Sequence, residues 1–141
     1  YQSYRNRNPY DVDGDSFSEI GKLNMNTFGL RAYYRPTQFG RLSIEYHTTN
    51  EFRRGGNKFD LEPCETDITE QTKHVINSGG LTYDLFWKEY KHKPSFYTSA
   101  QHVDRNSYYG AQQDPNAYGK TKDLTFVGGG MYVGNFDKVL F

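Results

Sequence analysis

The segment Asp11-Val12-Asp13-Gly14-Asp15 sets three carboxylates at a spacing of two residues. Such a run can turn its oxygens onto one hard cation, because calcium takes oxygen ligands only. Glu19 stands near enough to add a fourth. The spacing is not that of an EF-hand: counted from Asp11, the sixth position is Ser16 where that loop needs glycine, and the twelfth is Lys22 where it needs a bidentate glutamate. Asp11, Asp13, Asp15 and Glu19 therefore read either as a calcium-binding loop or as a solvated acidic turn.

Arg53 and Arg54, followed by Gly55-Gly56, form a second chemical signal. Guanidinium forks suit carboxylate, phosphate or catecholate oxygens, and they suit acidic loop neighbours such as Glu62, Glu65 or Asp67 equally well. Tyr108, Tyr109 and Tyr118 lie in a later polar stretch. They can stack on a ligand or pack on neighbouring loops.

Other chemistry finds no support. His47, His74, His92 and His102 have no zinc-site spacing, and Cys64 has no partner cysteine in the sequence. Gly128-Gly129-Gly130 is followed by no helix start and so is not a phosphate loop. Nothing aligns a nucleophile, a base and an orienting acid, so the expectation is a protein that is not an enzyme. With 17 basic and 17 acidic side chains the net charge is zero, which excludes a nucleic-acid footprint or a polybasic membrane anchor.

The elements that carry these residues are strands. Arg41 to Thr49 alternates Leu42, Ile44, Tyr46, Thr48 against Ser43, Glu45, His47, Thr49, a two-residue period. The same parity predicts strands over 23–35, 41–49, 73–85, 95–104 and 123–133, about five in all, within one domain spanning 1–141. In the fourth, Phe96, Thr98, Ala100 and His102 face off against Tyr97, Ser99, Gln101 and Val103, and neither side is clearly the apolar one. The three glycines at 128–130 suggest a bulge, a bend or the close approach of another backbone.

Between these strands the connections read long, short, long, short, long, short, with the long ones at 1–22, 50–72 and 105–121. Strands of nine to thirteen residues, joined by short turns on one side and long loops on the other, are the pattern of a transmembrane β-barrel, whose strands need about 9–11 residues to cross. Aromatic residues make up 17% of the chain while aliphatic ones are few, which fits a wall apolar on its lipid side only. Trp87 and Tyr90 among lysines at the short turn 86–91 fit a membrane interface. The fold class expected is all-β, an antiparallel up-and-down meander forming part of such a barrel. Because lipid tolerates no open sheet edge, further strands must close it, and Val139-Leu140-Phe141 reads as the opening of one.

Three segments carry a resemblance to a family: Tyr1-Gln2-Ser3-Tyr4-Arg5-Asn6-Arg7-Asn8-Pro9-Tyr10-Asp11-Val12-Asp13-Gly14-Asp15, Glu51-Phe52-Arg53-Arg54-Gly55-Gly56-Asn57, and Asn77-Ser78-Gly79-Gly80-Leu81-Thr82-Tyr83-Asp84. Together they resemble barrel segments of TonB-dependent outer-membrane receptors of Bacteroidetes type. The resemblance runs along essentially the whole chain and includes neither the plug nor its TonB-contacting segment. It implies a barrel of about 22 strands closed by a plug. It also implies outer-membrane uptake of a scarce ligand, such as a ferric siderophore or cobalamin, driven by the TonB complex, with calcium ordering outer loops in some members. Two other readings stay open: a soluble secreted β-domain that binds carbohydrate through loop tyrosines, and a passive porin-like channel.

Overall fold

A computed structural model describes residues 1–87, 89 and 91–135. Six strands follow one another in chain order: β1 (Gln2–Arg7), β2 (Ser18–Thr37), β3 (Gly40–Gly56), β4 (Ile68–Leu85), β5 (His92–Ala111) and β6 (Tyr118–Gly134). They form one open sheet in the order β1-β2-β3-β4-β5-β6, every neighbour antiparallel. The chain is an all-β up-and-down meander. No described helix is long and apolar enough to cross a membrane, which says nothing about crossing by strands.

The strands are longer than the sequence pattern suggests and number six among the described residues. From β2 to β6 they run 20, 17, 18, 20 and 17 residues, against the nine to thirteen expected. Most of the extra length lies at the long-loop end. Glu51 to Gly56, expected in a loop, is the end of β3, and the loops shrink to 8–17, 57–67 and 112–117. The stretch 1–22, expected as loop apart from a strand end at its start, holds β1 and the beginning of β2. At the other end β2 turns into β3 through Gln38-Phe39 alone, and Pro36 sits inside β2. Proline is tolerated there because β1 pairs with β2 only as far as Phe28, so the missing N–H faces an open edge. Of the expected turn at 134–138, Gly134 ends β6 instead; residues 136–138, the strand opening at 139–141 and residues Lys88 and Tyr90 lie outside the described residues.

Residues paired directly across antiparallel strands share a face, so register sorts every side chain. One row runs Leu30, Tyr46, Gly79, Ala100, Phe126. The rows beside it are Ala32, Ile44, Leu81, Thr98, Gly128 and Tyr34, Leu42, Tyr83, Phe96, Gly130, and this settles β5 in favour of Phe96 as the apolar side. We call this the outward face. On the inward face the corresponding rows are Arg31, Glu45, Gly80, Ser99, Val127 and Arg41, Asp84, Ser95, Met131.

Between the faces nothing resembles a core. Among the described residues Tyr108 is the one buried large hydrophobic side chain, whereas Phe28, Leu30, Ile44, Leu81, Phe96 and Phe126 are all exposed. The sheet is held by its ladders and by inward ion pairs. Arg41 Nη2 lies 2.6 Å from Asp84 Oδ2, Ser95 Oγ donates to Asp84 Oδ1 at 2.6 Å, and Lys93 stands 3.5 Å from the same carboxylate. Arg31 reaches Glu45 at 2.6 Å. Within the glycine run at 128–130, Gly129 has a local cause: the Tyr97 ring lies over it, and a Cβ there would come within 2.6 Å of the ring's hydroxyl. An aromatic ring laid over a strand glycine covers the ladder that the missing side chain leaves bare.

Candidate functional site

Above the apolar rows, at the long-loop end, the inward face becomes rich in charges of both signs. Register lines up Glu51, His74 and Arg105 in one row and Arg7, Leu23, Arg53, Thr72 and Ser107 in the next, with Glu70 and Tyr109 paired beyond them. All of these but Leu23 and Ser107 bound a concavity of about 650 Å³, rimmed by Phe17 just before β2 and by Ser18 and Glu19 at its start. Its size suits a small-molecule ligand.

Within it Arg53 Nε stands 2.7 Å from Glu51 Oε1, and the Arg53 side chain is 64% exposed. Tyr109 Oη sits 3.0 Å from Thr72 Oγ1 and accepts from Arg105 Nη2 at 3.2 Å. The hydrogen bond with Thr72, and after it the one from Arg105, hold the Tyr109 phenol below its ordinary pKa. Arg7 donates from Nε to the Gly21 carbonyl at 3.1 Å, which fixes its stem on β2. Three guanidinium groups and a phenol thus line one space together with the carboxylates of Glu19, Glu51 and Glu70, and the N–H groups that these leave unmatched could take carboxylate, phosphate or catecholate oxygens.

The structure separates the residues singled out from sequence. Arg53 and Tyr109 share the groove. Arg54, one residue on, also borders that concavity, but its side chain has outward parity and is 8% exposed. Its Nη2 donates to the carbonyls of Lys58 and Leu61 at 3.3 and 2.8 Å, and its guanidinium lies 5.5 Å from the Phe59 ring centroid. Arg54 pins the 57–67 loop. Tyr108 and Tyr118 also face outward, paired across β5 and β6, with ring centroids 4.8 Å apart edge to face. Tyr108 Oη donates to the Asp114 carbonyl at 3.0 Å, and burial pushes its phenol up. Tyr118 is raised chiefly by its hydrogen bond with the half-buried thiol of Cys64. Neither arginine pairs with Glu62, Glu65 or Asp67; Asp67 is taken by Lys58 Nζ at 3.0 Å and Asn57 Nδ2 at 2.8 Å.

Asp11, Asp13, Asp15 and Glu19 come together in the 8–17 loop and at the start of β2, one oxygen from each within 4.8 Å of the others. Each also accepts a backbone N–H: Asp11 from Gly14 and Ser16, Asp13 from Asp15, Asp15 from Phe17, and Glu19 from Val12. The oxygen-only set fits calcium rather than zinc. The amide bonds would equally shape a solvated turn.

Sequence reading missed Arg7, His74 and Arg105. Their parity was available, since Arg53 and Arg105 continue the inward positions Glu45 and Gln101, but it had to be carried past the ends of the amphipathic pattern. Compared with known proteins, the chain matches no family model, no curated protein and no solved structure.

Proposed function

We propose that this chain is a stretch of the wall of a transmembrane β-barrel in the outer membrane, belonging to a TonB-dependent uptake receptor whose inward groove captures an anionic ligand. One observation carries the reading: the register puts Phe28, Leu30, Tyr34, Ile44, Leu81, Phe96 and Phe126 on one exposed face, and Arg31, Arg41, Glu45 and Asp84, ion-paired, on the other. Water penalises the first face and lipid the second, so a wall between lipid and a wet lumen satisfies both. From Tyr34 to Phe28 and one residue beyond at each end, the band covers about 27 Å along the strands, which a tilt of about 40° turns into about 20 Å of height, near that of a barrel's lipid belt.

Receptor function rests on the groove. Arg53, Arg105 and Tyr109 face the lumen beyond the band, where a ligand arriving from outside is met first. A ferric siderophore with catecholate or carboxylate arms has the matching chemistry. The plug and the TonB complex belong to the proposal as partners, and no residue of this chain is assigned to them. A passive porin-like channel shares the wall; the groove favours capture over free passage. A soluble carbohydrate-binding β-domain would need a second layer over the exposed apolar face.

Fractionation of source cells with an antibody to the 57–67 loop tests the wall. Recovery in the outer membrane, resistant to alkaline extraction, is expected; recovery as a soluble protein overturns it. For the groove, Arg53→Ala is expected to weaken uptake of an anionic iron chelate by about tenfold, the scale of one lost charge-assisted hydrogen bond. Uptake unchanged at equal receptor abundance would remove Arg53 from the site.

A further inference from the structure

The outward face does not stay apolar to the top. Just above the row ending in Phe28 and Leu124, register brings Asn26, Asn50, Val75, Asp104 and Lys122 into line, and then Asn24, Phe52, Lys73, Asn106 and Lys120. Lys73, Lys120 and Lys122 are exposed. Asp104, the one carboxylate in these two rows, already stands 3.5 Å from Lys122. The patch is therefore cationic, while the acidic neighbours Glu51 and Glu70 have inward parity.

Lys73 and Lys120 flank Asn106 on the adjoining strands, so their stems are about 10 Å apart across the sheet. Beside Lys73 the surface dips into a shallow, almost wholly apolar pocket of about 190 Å³ lined by Asn24, Asn26, Asn50 and Phe52, with Glu51 and His74 also on its wall. The pocket offers an apolar footing, and the phosphate contacts fall to the exposed lysine ammonium groups of the two rows. The row below, Phe28, Thr48, Asn77, His102 and Leu124, is mixed, and the apolar band begins beneath it with Leu30, Tyr46, Ala100 and Phe126, where acyl chains would lie. The lysines therefore stand at the height of the headgroups rather than of the chains.

We infer that this lysine and asparagine band docks the phosphate-bearing headgroups of anionic lipids in the outer leaflet. The inference rests on the transmembrane reading above and adds a lipid-specific site to it. Each lysine near an anionic surface contributes about 1 kcal/mol, or about fivefold in association.

The test uses the protein purified from membranes and reconstituted in phosphatidylcholine vesicles carrying a minority of spin-labelled phosphatidylglycerol, with motionally restricted lipid read by electron spin resonance. The wild-type protein is expected to prefer phosphatidylglycerol over spin-labelled phosphatidylcholine. In the double variant Lys73→Gln/Lys120→Gln that preference should fall by about fivefold or more. Lys58→Gln, which removes a lysine from the 57–67 loop, should leave it intact. Equal preference in wild type and double variant, with both inserted, overturns the headgroup site and leaves the transmembrane reading standing. A wild-type protein that inserts into neither vesicle overturns both.

Discussion

The lower and upper parts of the same strands obey different rules. In the lower part the two faces differ: Leu30, Ile44, Leu81 and Phe126 look outward while Arg31, Glu45, Thr82 and Thr125 look inward. In the upper part both faces are polar, lysine and asparagine outward, arginine and glutamate inward, yet the ladder continues unbroken from Thr49↔Ile76 to Gly56↔Thr69. Hydrogen bonding therefore sets where a strand ends, and the contrast between its two faces sets where its amphipathic pattern ends.

The largest effect should come from forcing the lower rule to fail. On the proposed membrane-wall reading, Leu81→Arg places a charge in the middle of the outward band and is expected to cost about 2–4 kcal/mol. Thr82→Arg, the next residue and inward by parity, should cost less than about 1 kcal/mol. Urea titration of both variants folded into lipid vesicles measures the difference. Equal costs would erase the distinction between the faces.

The inward ion pairs give the next effect. Asp84 is 4% exposed and serves Arg41, Lys93 and Ser95 at once, so Asp84→Ala leaves two cations without their shared acceptor. The expected loss is about 1–3 kcal/mol, below the range for a fully buried pair because Arg41 still reaches water. Glu45→Ala, which frees the more exposed Arg31, should cost at most about 1 kcal/mol. The same titration ranks them, and a larger loss for Glu45→Ala would contradict the burial that separates the two pairs.

This division explains what the sequence made legible. Period-two alternation exists only where one face is apolar, so it located Phe28 to Tyr34, Leu42 to Thr48 and Leu81 to Leu85 on their correct faces. It stopped at Thr49 and at Lys73, where Asn50, Glu51 and Arg53 offer no contrast between faces. The strand ends were thus invisible for a physical reason, and so were the loop lengths and the row that joins Arg105 to His74. The acidic cluster was legible because four carboxylates lie close in sequence. The division of Arg53 from Arg54 was not, because it needs the register past residue 49.

That division makes a sharper test within the upper part. Arg54→Ala removes two hydrogen bonds to the Lys58 and Leu61 carbonyls and the contact with Phe59. The expected cost is about 1–3 kcal/mol, concentrated in the 57–67 loop, with faster limited proteolysis there. Arg53→Ala should leave that cleavage rate unchanged, since Arg53 contacts Glu51 on its own strand. Matching cleavage rates would mean that the two arginines do not divide as the faces do.

The smallest effect is an acid release of the same loop. Hydrogen bonds from Lys58 and then Asn57 hold the Asp67 carboxyl below its ordinary pKa. A carboxylate depressed on folding adds stability that is fully present above its unfolded value, about 3.9, and is lost as pH falls through the lower folded value. Loop cleavage by an acid-tolerant protease should therefore be level between about pH 7 and 5 and rise only below about pH 4. Asp67→Asn cannot titrate, so its cleavage should lack the acid step. Because Asp67 and Lys58 are both about half exposed, salt should weaken the wild-type step as well. Arg54 cannot lose its charge in that range, so a wild-type loop that stays protected at pH 3 would mean that Arg54 alone holds it.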